Sequence, residues 1–232
     1  MPAVEDLNTL SEMLLFEGLS QAELKRVNEQ LLHKKTFTTG TNIITVAQPG
    51  EVVYVLLEGS VKIYVDQIDG SEVILAFLGP GDTVGEMGLI GSSGRSASVL
   101  TLEETVCLAM DRGSFRVCLK SIPGLSFNLV QLLSRRLRLA NEQVQALSTL
   151  DVRGRVARQL LAFAQRYGEA GSTAEVSIPL RLTQTDLASL VGASRERVNQ
   201  VIVDFKDRKF ISVDPGHHIT VHDIQALIDR CQ

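Results

Sequence analysis

The chain has 232 residues, 44% of them hydrophobic, which is enough for two modest domains with real cores and a connector. The net charge of −4 does not mark the whole molecule as a nucleic-acid binder, and three cysteines without a C-x-x-C pair argue against a disulfide framework. No apolar run approaches the roughly 20 residues of a membrane span, and the acidic N-terminus has no signal-peptide pattern, so a cytoplasmic protein with reduced thiols and no membrane contact is expected.

Along the chain, residues 7–32 read as short helices, with Ser20 and Glu23 spaced as a capping box. Six short β-branched runs follow, at Asn42–Val46, Val52–Leu57, Val61–Val65, Val73–Phe77, Ala97–Leu100 and Val106–Met110. Turn pairs such as Pro49-Gly50, Glu58-Gly59 and Asp69-Gly70 punctuate them, which predicts an antiparallel sandwich or roll with a tight hairpin at Asp69-Gly70. After Pro123 the apolar period becomes helical. Val130, Leu133, Leu137, Ala140, Val144 and Leu147 recur at alternating spacings of three and four, an a/d seam over about three heptads. A helix packing on its own domain is the plainer alternative. The regularity favours the same helix of a second subunit, hence a homodimer.

Asp151 opens a further amphipathic helix through Val156, Leu160, Leu161 and Phe163, and Tyr167–Thr173 reads as a loop. Charge is unevenly spread. Residues 1–150 carry 12 basic and 17 acidic residues, a balance of −5, whereas residues 151–210 carry 10 and 7, a balance of +3. Attraction to DNA depends on the contacting face, so this local excess is the one that matters.

The segment 182–202 has the most specific pattern. Thr183 caps a first helix with apolar Leu187, Ala188 and Val191. Small Ala188 permits close approach, Gly192 supplies the turn, and Ser194 caps a second helix. Val198, Val201, Ile202 and Phe205 face inward, leaving Arg195, Glu196, Arg197, Asn199 and Gln200 to solvent. In a helix-turn-helix the start of the second helix enters the major groove, where Arg pairs with guanine and Glu accepts from cytosine. Thr183 and Ser194, with Gln184 beside the first cap, are placed for contacts that set register. Charge alone would describe only a solvated helical face.

Gly192-Ala193-Ser194-Arg195-Glu196 resembles the recognition helix of the cyclic-AMP receptor protein family, which includes the fumarate-nitrate regulators. The resemblance covers nearly the whole chain. It implies an α+β fold: a nucleotide-binding β-roll over residues 1–122, a dimerisation helix over 123–150 and a winged helix-turn-helix over 151–232, with wing strands near 210–213 and 218–221. It implies base reading by Arg195 and Glu196 on a near-palindromic duplex, with half-sites about 34 Å apart. The family's founding member bends its DNA, and the resemblance extends that expectation here. The family usually has an arginine where this chain has Gln200, which can pair with adenine or reach a phosphate. RNA polymerase is a further implied partner, with the 168–176 loop as its candidate surface.

Gly85-Glu86-Met87-Gly88-Leu89 followed by Arg95-Ser96-Ala97 resembles the family's phosphate-binding cassette. The chemistry suits a cyclic nucleotide. Gly85 lets backbone N–H groups approach a phosphate, Arg95 offers a planar fork of donors, Ser96 adds a hydroxyl, and Glu86 can accept from a ribose hydroxyl. Cyclic AMP is the first choice of effector, because cyclic-GMP binders often have Thr where Ser96 stands. The family's adenine-contacting Thr-Ser pair is replaced by Ala140 and Asn141, of which only Asn141 can hydrogen-bond. The departure at Ala140 keeps a ligand-independent activator as the alternative.

Other classes fit less well. An iron–sulfur sensor needs an N-terminal cysteine cluster, and residues 1–40 contain no cysteine. A metal-binding β-roll enzyme needs histidines on its strands, and 42–112 has none; His217-His218 reads as a solvated turn of the wing. Redox sensing by Cys107 or Cys118 is unsupported, since both sit beside apolar neighbours that point to burial. There is no G-x-S-x-G nucleophile motif. No catalytic residue, metal site or prosthetic cofactor is expected.

Overall fold

The computed structural model describes residues 7–31, 33–46, 48–90, 94–170 and 175–231, so Leu32 of the expected N-terminal helices lies outside the described residues. The chain forms two compact units, Met1–Val65 with Phe77–Arg138, and Asp66–Ala76 with Leu139–Gln232.

The first unit begins with α1 (Leu7–Ser11) and α2 (Gln21–Leu31). The α2 start is a reciprocal cap: Glu23 Oε2 accepts from the Ser20 N–H at 2.8 Å, and Ser20 Oγ accepts from the Glu23 N–H at 3.4 Å. The roll follows as β1 (His33–Phe37), β2 (Asn42–Ile44), β3 (Val52–Glu58), β4 (Val61–Asp66), β5 (Glu72–Leu78), β6 (Thr83–Val84), the short helix α3 (Glu86–Ile90), β7 (Ser98–Thr101) and β8 (Thr105–Asp111). Two four-stranded sheets result, ordered β1-β8-β3-β6 and β2-β7-β4-β5, with antiparallel registers such as Tyr54↔Ala109 and Ile63↔Val99. All six predicted strands are present. The hairpin at Asp69-Gly70 is looser than expected. Five residues, 67–71, join β4 to β5, and the Asp69 side chain folds over the turn, accepting from Ser71 N–H and Oγ.

Among the described residues of this part of the chain, β1, β6, α3 and α4 were not predicted. Strand β1 is exposed along most of its length, so its side chains carry no burial signal; β8 supplies its backbone partners. It also puts His33 on the first sheet, opposite Ala109, so the expectation that no histidine joins the roll is corrected. Strand β6 is too short to show a pattern. Helix α4 (Arg112–Ser121) starts at Asp111, whose side chain accepts from the Ser114 N–H, and inserts Phe115 and Cys118 into the core. That core gathers Leu10, Leu15, Phe16 and Leu24 with Val53, Val55, Leu108 and Met110 of the first sheet, and with Leu125 and Leu129 of the long helix α5 (Pro123–Thr149).

Besides Asp66–Ala76, which includes most of β5, the second unit contains the end of α5, then α6 (Val152–Tyr167), β9 (Glu169–Ala170), β10 (Val176–Ile178), α7 (Gln184–Val191), α8 (Arg195–Asp207), β11 (Ile211–Val213), β12 (Ile219–Val221) and α9 (Ile224–Ile228). Asp151 caps α6 by accepting from the Gly154 N–H at 2.7 Å. The wing sheet is ordered β11-β12-β10-β9. Part of the predicted 168–176 loop is therefore strand, because Glu169 and Ala170 pair with Ser177 and Val176; residues 171–174 lie outside the described residues. Among the described residues no single helix is long and apolar enough to cross a membrane.

Burial pushes the Cys107 thiol up to about 12 and the Cys118 thiol up to about 11, holding both as unreactive thiols at neutral pH. A thiol-disulfide reagent at pH 8 should therefore label half-buried Cys231 first. Cys107 and Cys118 should react only as pH climbs toward their raised values or once urea unfolds the chain, and their fast labelling in the native protein would contradict this.

Candidate effector and DNA interfaces

Gly85 adopts φ +88°, and a Cβ there would meet Arg95 Nη1 at 2.6 Å and the Val52 carbonyl oxygen at 2.9 Å. Only glycine gives Arg95 room to fold under the turn. The Arg95 guanidinium donates to the carbonyls of Gly85 and Val52, each at 2.8 Å. Desolvation lowers its pKa, partly offset by the nearby carboxyl of Glu86. Gly88 serves the same end, since a Cβ there would meet Arg95 Cδ at 3.1 Å.

Glu86 opens α3 and is 1% exposed. Its Oε1 accepts from Arg136 Nη1 of α5 at 2.6 Å, and Arg136 Nη2 donates to the Thr83 carbonyl. The other carboxylate oxygen, Oε2, is buried without a hydrogen-bond donor, as is Thr83 Oγ1. An unsatisfied buried acceptor costs about 1–3 kcal/mol, and an arriving hydroxyl donor would recover it. The structure thus brings Gly85, Glu86 and Arg95 together. Met87 and Ser96 are exposed beside them, with Ser96 Oγ 3.9 Å from Met87 Sδ. Ala140 and Asn141 are exposed on α5, beyond Arg136 in sequence. Sequence reasoning passed over Arg136 and Thr83. A buried glutamate needs a cation, but nothing in the local sequence says that the cation comes from a helix fifty residues away.

The α5 seam is largely open. Val130, Leu137, Val144 and Leu147 are 47–64% exposed, and Ala140 is exposed as well. Leu133 departs from the expected seam: it is half-buried against its own unit's core, on the side occupied by Leu125, Leu129 and Leu132. Phe127, 63% exposed, lies one step before Val130 on the open face.

In the second unit, Thr183 caps α7, accepting from the Asp186 N–H at 3.2 Å and donating to Asp186 Oδ2 at 2.5 Å, so this half-buried hydroxyl is already engaged. Gly192 ends α7 at φ 62°, ψ 50°, the left-handed cap that the tight turn requires. Ser194 then caps α8 through the Arg197 N–H. Leu187, Ala188, Val191, Val198, Val201, Ile202 and Phe205 are buried; Ser194, Arg195, Glu196, Arg197, Asn199 and Gln200 are exposed, and Gln184 is intermediate. A groove of about 490 Å³ runs between the helix pair and the wing, lined in part by Thr183, Gln184, Arg195, Lys206 and His217. The end of α5 grips this helix pair. Gln143 Nε2 donates to the Leu190 carbonyl at 3.0 Å, and Arg155 of α6 donates to the carbonyls of Leu150 and Gly192 at 3.1 and 3.2 Å. Among the described residues, no group of three or more His, Cys, Asp or Glu could hold a metal ion.

Comparison with known proteins identifies both domains. Residues 34–121 match the cyclic nucleotide-binding domain family, and residues 154–230 match the Crp-like helix-turn-helix domain. A CRP-like cAMP-activated global transcriptional regulator of Mycobacterium tuberculosis is 34% identical over 94% of this chain and 96% of its own. The cyclic AMP receptor protein of Thermus thermophilus is 30% identical over 87% of this chain and 89% of its own. Among solved structures, FixK2 from Bradyrhizobium japonicum superposes with a TM-score of 0.77 over 87% of this chain and 98% of its own, at 21% identity, a likeness of fold.

Replacing Arg136 by Ala leaves the buried Glu86 carboxylate without its cation. We expect a loss of about 3 kcal/mol, the low end for a broken buried pair because Arg136 is partly exposed. Urea melting reads it, and an unchanged midpoint would mean that water replaces the guanidinium freely.

Proposed function

The chain belongs to the cyclic-AMP receptor protein/fumarate-nitrate regulator family, and on that footing we propose that it is a homodimer switched by cyclic AMP to read a near-palindromic operator. The family consists of DNA-binding transcription regulators with a cyclic nucleotide-binding domain, dimeric in organisation, and not of enzymes. The particular nucleotide, the residues and the further partners are our reading.

What supports the effector site most is the buried, donorless Oε2 of Glu86 beside the Gly85 turn and Arg95. A ribose 2′-hydroxyl supplies the missing donor. The cyclic phosphate draws Arg95 from the carbonyls of Gly85 and Val52, exchanging neutral acceptors for a charged one. Ser96 adds a hydroxyl to the phosphate, Met87 lies against the ligand, and Asn141 serves the base. The ligand changes DNA affinity only to the extent that it binds the two protein states unequally. Val130, Leu133, Leu137, Ala140, Val144 and Leu147 form the dimer seam, with Leu133 shared with the core of its own unit. Arg195 and Glu196 read bases, Gln200 and Asn199 read adenine or reach phosphate, and Thr183, Gln184, Ser194 and Arg197 hold the backbone. RNA polymerase is the partner proposed for the 168–176 region, and the cytoplasm the place of action. Exposed Ala140, which offers a base no hydrogen bond, favours a ligand-independent activator as the second reading.

Calorimetric titration with cyclic AMP should give saturable heat, and the nucleotide should raise operator affinity in a gel-shift assay. No heat and no change in affinity would favour the second reading. Arg195→Ala should cost about 1–3 kcal/mol at one base pair of the operator. Equal weakening on all duplexes would reduce Arg195 to a phosphate contact.

A further inference from the structure

The apolar residues Val198, Val201, Ile202 and Phe205 of α8 are all buried. Val203 is not; it is 46% exposed. A valine at such a place gains little from packing, and its branched Cβ makes it a poorer helix former than alanine, lysine or glutamate. Its position is informative. It stands three residues beyond Gln200, four beyond Asn199 and seven beyond Glu196, spacings that place all four on one helix face. Those three neighbours are exposed, so Val203 continues the stripe assigned above to base edges. The groove flanking that stripe is lined in part by Gln184, Arg195, Lys206 and His217, amide, cationic and imidazole groups that can reach a phosphate strand, together with the carboxylate of Asp214.

We infer that Val203 is a further specificity-determining residue, which packs its methyl groups on the C5-methyl of a thymine in the major groove. The thymine methyl is the apolar mark on a major-groove edge that an aliphatic side chain can recognise. Seven residues of helix separate Val203 from Glu196, about 10 Å of rise, so the thymine lies at a different base pair from the one that Glu196 reads. The polar residues of the first turns discriminate by hydrogen bonds, and Val203 adds a contact that no hydrogen bond reports. The inference rests on the DNA-reading assignment of α8.

The test uses the full-length dimer with cyclic AMP. An operator is first selected from a random duplex library, and each symmetric pair of thymines is then replaced by deoxyuridine, which removes only the methyl group. At one position, uracil should weaken wild-type binding about fourfold per half-site, the worth of one buried methyl. Val203→Ala should weaken binding to the thymine operator by a similar factor and respond equally to thymine and uracil there. Wild-type indifference to uracil at every position overturns the inference, as does a variant that keeps the wild-type methyl dependence. Recovery of no operator at all would instead overturn the DNA-reading assignment beneath it.

Discussion

A carboxylate that is 1% exposed cannot stand without a cation, and much of the first unit follows from that requirement. Glu86 is buried because it opens a short helix directly after the Gly85 turn, at the centre of the cassette. Arg136 meets it from α5 at 2.6 Å and also donates to the Thr83 carbonyl. One guanidinium therefore ties the long helix to the strand end and to the cassette together. Burial of the Glu86 carboxylate without a partner would cost several kcal/mol, which the Arg136 guanidinium offsets. The pair leaves one carboxylate oxygen, Oε2, buried without a donor.

The same helix carries two apolar stripes. Leu125, Leu129 and Leu132 are buried, whereas Phe127, Val130, Leu137, Val144 and Leu147 stay largely in solvent in a single chain. At about 25 cal/mol per Å² of apolar surface removed from water, covering such a stripe with its symmetry mate is strongly favourable. The dimeric organisation of the family answers this need. Arg136, on the same helix, pairs with Glu86 of the cassette.

The elements that carry side-chain patterns were legible in the sequence. Six strands, the long helix and the capped helix pair announced themselves by period and by caps at Ser20, Asp151, Thr183 and Ser194. What escaped was what backbone or distant partners decide. His33–Phe37 is a strand because β8 offers it hydrogen bonds, although its own side chains are exposed. Glu169–Ala170 pairs with β10 for the same reason. Leu133 fits a heptad by spacing, yet the neighbouring core takes part of it. In the cassette, Gly85, Glu86 and Arg95 could be read from their order. The pairing of Glu86 with Arg136 joins residues fifty apart and has no local signature. The resemblance to a known family added the roles of these residues, and their order and spacing alone would not have named a nucleotide.

The grip of Gln143 and Arg155 on the helix pair has a consequence for how such a reader can diverge. Both of its acceptors on the helix pair, at Leu190 and Gly192, are main-chain carbonyls. A mount that holds backbone is indifferent to the side chains it carries. The exposed side chains of Glu196, Asn199 and Gln200 make none of these contacts, so exchanging them leaves the fastening behind them in place. Gly192 is the exception, because its left-handed backbone brings the turn to the clamp, and drift there would forfeit the mount itself.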